Sequence, residues 1–195
     1  MPTGTAIRDA REQLFGAAER ILLRDGPNAL TSRAVTDEAG CAKGVLHRHF
    51  ADFDAFLAEL VRDRVARLGV QAAALCGAAG TGTVVGNLAG ALSELFDPVA
   101  VAVVGLVISR DGLRGRLRET TPAGVPLLTE AAAMLADYLA AERREGRIAE
   151  EADVEALGPT LIGSGHLLFA DRESGPPDTA AVRKAVAAAV DGYLP

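Results

Sequence analysis

Tryptophan is absent from this 195-residue chain, and its only aromatics are six phenylalanines and two tyrosines. That shortage argues against a wide aromatic-lined cage and leaves aliphatic side chains to build any core or pocket. Cysteine is as scarce: Cys41 and Cys76 offer neither a disulfide framework nor metal-ligand spacing. Histidine occurs three times, at 47, 49 and 166. There is no His-Glu-x-x-His, no phosphate-cradling glycine loop and no nucleophile elbow, since Gly163-Ser164-Gly165 lacks the required spacing. No catalytic residues, metal site or cofactor are therefore expected. The longest apolar run, residues 99–108, falls well short of the about 20 residues that span a bilayer. The N-terminus is polar and quickly charged, unlike a signal peptide. These absences point to a cytoplasmic protein with no membrane partner.

What is present is aliphatic. Apolar residues make up 49% of the chain, mostly alanine, leucine and valine, which favours a packed helical protein, and no strand pattern appears. The net charge of −6 is unevenly spread. Residues 1–50 carry seven Lys and Arg against six Asp and Glu, whereas the remainder carries thirteen against twenty. The acidity belongs to the C-terminal body, a direction suited to an N-terminal head that meets phosphate.

A first helix is predicted over 6–24, with Ala10, Leu14, Ala17, Ala18, Ile21 and Leu22 as its apolar stripe. Asp25-Gly26-Pro27 stops it. Residues 31–50, TSRAVTDEAGCAKGVLHRHF, then read as two short helices around a tight turn. Thr31 is a good N-cap, and Val35 and Ala39 fall four apart on one face. Gly40 ends the first of the pair, because the chain must enter a left-handed conformation there. The second, over 42–49, turns Val45 and Leu46 inward and Lys43, Gly44, His47 and Arg48 outward. Helices this short do not stand alone in water. A helix-turn-helix that sets its second helix in the DNA major groove is the economical reading. Thr31, Ser32 and Lys43 are then expected on backbone phosphate, with Gly44 permitting close approach. Arg33, His47 and Arg48 are expected to reach bases or phosphates of a double-stranded operator.

Beyond this head a long helix is predicted from 52 to about 79, then helices over 83–96, 98–109 and 125–145. Residues 110–118 are expected as a solvated helix end or loop. Asp153 is positioned to cap the penultimate helix, which Pro159 should kink or delay, and a last helix is predicted over 179–193. Helical bundles bind small molecules in mostly apolar pockets with a few fixed polar groups. Asn87, Ser109, Met134, Tyr138 and His166 are the polar or adaptable candidates for contact with a small-molecule effector. The last two predicted helices are apolar on more faces than one body needs. Leu157, Leu161, Gly165, Leu168, Val182 and Val186 are thus candidates for a homodimer interface.

Residues 39–61, AGCAKGVLHRHFADFDAFLAELV, resemble the signature of the TetR-type transcriptional regulators at Ala39, Gly40, Lys43, Gly44, Leu46, Arg48, His49, Phe50 and Phe56. Four positions depart from it. Ala42 stands for the usual serine, His47 for a phosphate-touching tyrosine, Phe53 for a phosphate-facing lysine, and Thr36 where alanine is common. The resemblance implies an all-α protein with a three-helix DNA-binding domain over 1–50 and a ligand-binding and dimerisation domain over 51–195. It further implies a homodimeric repressor, not an enzyme, released from a palindromic operator by a small molecule. The competing reading, kept open by the departures, is an all-α ligand-binding or enzymatic bundle whose head has lost DNA binding.

Overall fold

Alanine, leucine and valine at three- and four-residue spacings build helices wherever glycine, proline or a capping side chain does not interrupt them. The computed structural model describes residues 4–120, 124–170 and 175–195, with the backbone alone for residues 4–9. A loose N-terminal arm, expected over residues 1–4, falls largely outside these residues, as does the start of the loop expected over 173–178. Among the described residues are ten α-helices and no strand, the all-α class expected. They are α1 Gly4–Asp25, α2 Ser32–Glu38, α3 Gly44–His49, α4 Phe53–Gly77 and α5 Val84–Leu95. There follow α6 Pro98–Ser109, α7 Asp111–Leu117, α8 Leu128–Arg144, α9 Val154–Phe169 and α10 Thr179–Val190. Packing divides the chain into two compact units, Met1–Asp63 with Ala102–Val125, and Arg64–Val101 with Pro126–Pro195. The chain passes between them three times, within α4, within α6 and between Val125 and Pro126 ahead of α8.

In the first unit the α1 stripe is buried at Leu14, Ala17, Ala18, Ile21 and Leu22, as are Leu30, Val35, Leu46 and Phe50. The rings of Phe15, Phe50 and Phe56 meet at centroid separations of 5.1 to 6.1 Å. Residues 110–118 depart from expectation, because most of them form α7. Leu113 and Leu117, four apart, give that helix one fully buried face. Their burial outweighs the poor helix propensity of Gly112 and Gly115.

In the second unit α8 and α9 lie close because Gly158 has no side chain. A Cβ there would collide with the carbonyl oxygen of Ala132. Gly165 plays the same part against the ring of Phe96. The α9 helix starts at Val154 under the carboxylate of Asp153, which accepts from the Ala156 N–H at 3.1 Å. Pro159 therefore does not delay the start. Lacking an N–H, it leaves the carbonyl of the exposed Glu155 without its i+4 donor.

Candidate functional site

The helix-turn-helix forms from local chemistry. The Thr31 hydroxyl caps α2 by accepting from the Ala34 N–H at 3.1 Å. At the turn Gly40 takes φ 65°, and the Cys41 N–H reaches back to the Thr36 carbonyl at 3.0 Å. Thr36, fully buried, is satisfied within its own helix by carbonyls of Ser32 and Arg33. With Ala42 in place of serine, the start of α3 has no side-chain cap, and the Val45 N–H closes on the Ala42 carbonyl at 2.8 Å. Val35 and Leu46 anchor the two helices inward. On the other side Thr31, Arg33, Lys43, Gly44, His47 and Arg48 are exposed and Ser32 is half-buried. The structure thus leaves all seven predicted contact residues reachable. Arg33 is loosely paired with Asp37 at 3.5 Å, an exposed pair of small energetic weight.

Behind this surface a set of ion pairs ties the unit together. Glu38 of α2 accepts from Arg20 and Arg24 of α1 at 2.8 and 3.1 Å. Those two guanidiniums, Arg20 first, hold its carboxyl below the ordinary range. At the start of α4, Asp52 caps the helix through the Ala55 N–H at 2.7 Å and also accepts from Arg116 of α7 at 2.8 Å. Arg110 donates to the Leu30 carbonyl at 3.1 Å, lies 3.8 Å from Asp54, and stacks its guanidinium over the Phe53 ring at 5.4 Å. Phe53 thus receives a cation from the segment between α6 and α7. Sequence reasoning missed this clasp because its partners lie more than fifty residues apart.

The second unit holds a half-open cavity of about 280 Å³ among α4, α5 and α8. Its wall is apolar at Ala74, Leu75, Ala78, Ala91 and Met134, and polar at Gln71, Asn87 and Glu94. Behind Asn87 runs a buried polar chain. The Asn87 Nδ2 group donates to the Thr81 carbonyl and to the Tyr138 hydroxyl, both at 2.9 Å. Tyr138 in turn donates to the Glu142 carboxylate. Burial first, and then Glu142, push the Tyr138 hydroxyl well above its ordinary range. Glu142 is fully buried, yet its other oxygen accepts from the Gly80 N–H at 3.2 Å and lies 3.5 Å from Nε of Arg147. Arg147 also donates to the Thr81 and Gly82 carbonyls at 3.3 and 2.9 Å. A buried carboxylate persists only when paired and hydrogen-bonded, and this one is both. The network pins the α4–α5 connection to α8.

Of the five effector candidates, Asn87 and Met134 line the cavity and Tyr138 sits one hydrogen bond behind it. Ser109 belongs to the first unit, where its hydroxyl donates to the Leu106 carbonyl at 3.1 Å. His166 lies on α9 against Phe96, with centroids 6.2 Å apart, and its buried Nδ1 has no hydrogen-bond partner among the described residues. Gln71, Glu94, Glu142 and Arg147 were not foreseen. The one sequence signal was the Tyr138–Glu142 spacing of four, which places both on one helix face.

The dimer candidates fall mostly inside the single chain. Leu157, Leu161, Gly165, Val182 and Val186 are buried there, and Leu168 is half-buried. Apolar residues on two sides of α9 therefore serve first to join α8, α5 and α10. Its outward face carries Thr160, Gly163 and Leu167, the last 80% exposed.

Residues 14–60 match the family model described as bacterial regulatory proteins, tetR family. No curated protein matches the chain. Among solved structures it is similar to the transcriptional regulator FadR from Bacillus subtilis in complex with stearoyl-CoA. That pair shares 18% identity over 93% of this chain and 98% of that one, with a TM-score of 0.72. It is also similar to NemR of E. coli in its reduced form, at 14% identity over 95% and 97% of the two chains and a TM-score of 0.73. A TetR-family regulator from Agrobacterium tumefaciens is 13% identical over 96% and 99%, with a TM-score of 0.72. At these identities the likeness is one of fold.

Proposed function

We propose that this chain, which has a TetR-type head and a TetR-type fold throughout, is a DNA-binding transcriptional repressor released from its operator by a small molecule. The observation that carries the reading is the capped helix-turn-helix with Lys43, His47 and Arg48 exposed on one side and Val35 and Leu46 buried on the other. An α3 of six residues has no reason to be held so firmly unless its outer edge is used. The functional division is a DNA-binding domain over 1–50 and a ligand-binding and dimerisation domain over 51–195, although residues 51–63 and 102–120 pack with the head. The body cavity beside Asn87 and Met134 is the effector site.

The protein acts as a two-fold dimer through the outward faces of α9 and α10, on an operator whose half-sites are about 34–36 Å apart or a multiple of that. The buried dimer candidates support the shape of those helices, and Leu167 replaces them as the central contact. No single helix among the described residues is long and apolar enough to cross a membrane. No part of the reading calls for an enzymatic step.

A mobility-shift titration against the DNA adjoining its own gene tests the reading. Tight binding that weakens steeply with salt is expected. Binding no stronger than to random DNA at the same salt would sink it. Coupling must also be reciprocal, so operator DNA weakens effector binding by the factor by which effector weakens DNA binding.

A further inference from the structure

The cavity in the second unit has a one-sided chemistry. Among the described residues no lysine, arginine or histidine lines it, and the one charged side chain there is Glu94, exposed at the wall. A carboxylate only accepts hydrogen bonds. The cavity's other polar side chains, Gln71 and Asn87, are neutral amides, and Asn87 has no N–H to spare, for a reason that lies behind the wall. Both hydrogens of its Nδ2 group are committed, one to the Thr81 carbonyl and one to the Tyr138 hydroxyl. Because a carbonyl must be met by a donor, the amide orientation follows from the network, and Oδ1 is turned against Gly82, where a Cβ would lie 3.1 Å from it. Asn87 and Glu94 stand seven residues apart on α5, hence on the same face and about 10 Å apart along the axis. Between them the wall is the apolar surface of Ala91, Leu75 and Met134. Arg183 of α10 is near Gly86, about 12 Å along α5 from Glu94, and is not part of the lining. At about 280 Å³ the space is at the small end of the about 300–1,000 Å³ usual for ligand pockets.

We propose that the cavity takes a small aliphatic amine, bound as its ammonium cation, with N–H donors on Glu94 and its hydrocarbon body along Ala91, Leu75 and Met134. An anion of the same size would meet the Glu94 carboxylate with no cation in the lining to answer its charge. This inference rests on the reading of the cavity as the effector site and names the ligand class for it.

The test uses the full-length protein without DNA, titrated calorimetrically with hexylamine, hexanol and hexanoate, three probes of matched length. Hexylamine is expected to bind about ten-fold more tightly than hexanoate, the worth of one charge-assisted hydrogen bond. Glu94→Gln, an exposed change that leaves the melting temperature unaltered, should remove that preference and leave hexanol unaffected. Hexanoate binding as well as hexylamine, an unchanged preference in Glu94→Gln, or no hexylamine binding would each overturn the proposal. None of these outcomes touches operator binding, which is measured separately on ligand-free protein. Conversely, a failed mobility shift leaves the amine titration standing.

Discussion

The head and the body put polar side chains to opposite uses. In the helix-turn-helix Lys43, His47 and Arg48 stand in solvent, and the interior beneath them is aliphatic and aromatic apart from Thr36. In the body Glu142 is wholly buried and satisfied from three sides, and no cluster of basic side chains lines its cavity. Exposed polar groups contribute little to folding and remain available for recognition. Buried ones are held by the fold, and removing a partner leaves the others unsatisfied. Substitutions in the head should therefore change binding without stability, and those in the body stability before binding.

The sharpest way to break this contrast lies on α9. Leu161→Ala, at a fully buried position, should lower unfolding free energy by about 2–5 kcal/mol in chemical denaturation. Leu167→Glu, six residues on and exposed, should keep full helical content and dissociate the dimer in sedimentation. If the two variants behave alike, the inward and outward faces of α9 have been misassigned. Next in size is Glu142→Ala, which strands the Tyr138 hydroxyl, the Gly80 N–H and Arg147 together. A loss of about 3 kcal/mol is expected, while the protein that remains folded still shifts operator DNA. A loss under about 0.5 kcal/mol would show that the network is incidental.

In the head, Lys43→Ala should leave the melting temperature alone, weaken binding to all sequences, and lower the slope of log K against log salt by about one. An unchanged slope would remove Lys43 from the phosphate contacts. The smallest effect concerns acid. The Ala55 N–H first, and Arg116 with it, hold the Asp52 carboxyl below its ordinary range in the folded protein. Its contribution is thus complete above the unfolded value of about 3.9 and is lost as pH falls through the lower folded value. Thermal melts followed down through that window should show a shallower acid limb for Asp52→Asn than for the wild type.

The head was legible in the sequence because its defining contacts are short. Thr31 meets Ala34, Cys41 meets Thr36, and Leu46 follows Val35 by eleven residues, so pattern and cap chemistry suffice. The body was legible only as a series of helices. Glu142 in AAERREGR looks like one more solvated charge, and its Gly80 partner lies sixty-two residues away. Likewise, the two arginines of the α7 clasp reveal their roles only once Asp52 and Leu30 are brought beside them. In the sequence, apolarity on several sides of α9 suggests surface for a partner copy. The fold absorbs most of it internally, because Gly158 and Gly165 let neighbouring elements come within contact distance.

The Tyr138 phenol has a consequence for spectroscopy. With no tryptophan and only two tyrosines in the chain, emission in the tyrosine band comes from Tyr138 and Tyr193 alone. A hydrogen bond from the phenol to a carboxylate quenches tyrosine emission, so Tyr138, which donates to Glu142, is expected to be the dimmer of the two and Tyr193, half-exposed near the C-terminus, the brighter. Any molecule that enters the cavity and pulls Asn87 away from the phenol alters that quenching. The protein therefore carries a label-free optical probe one hydrogen bond from its cavity wall.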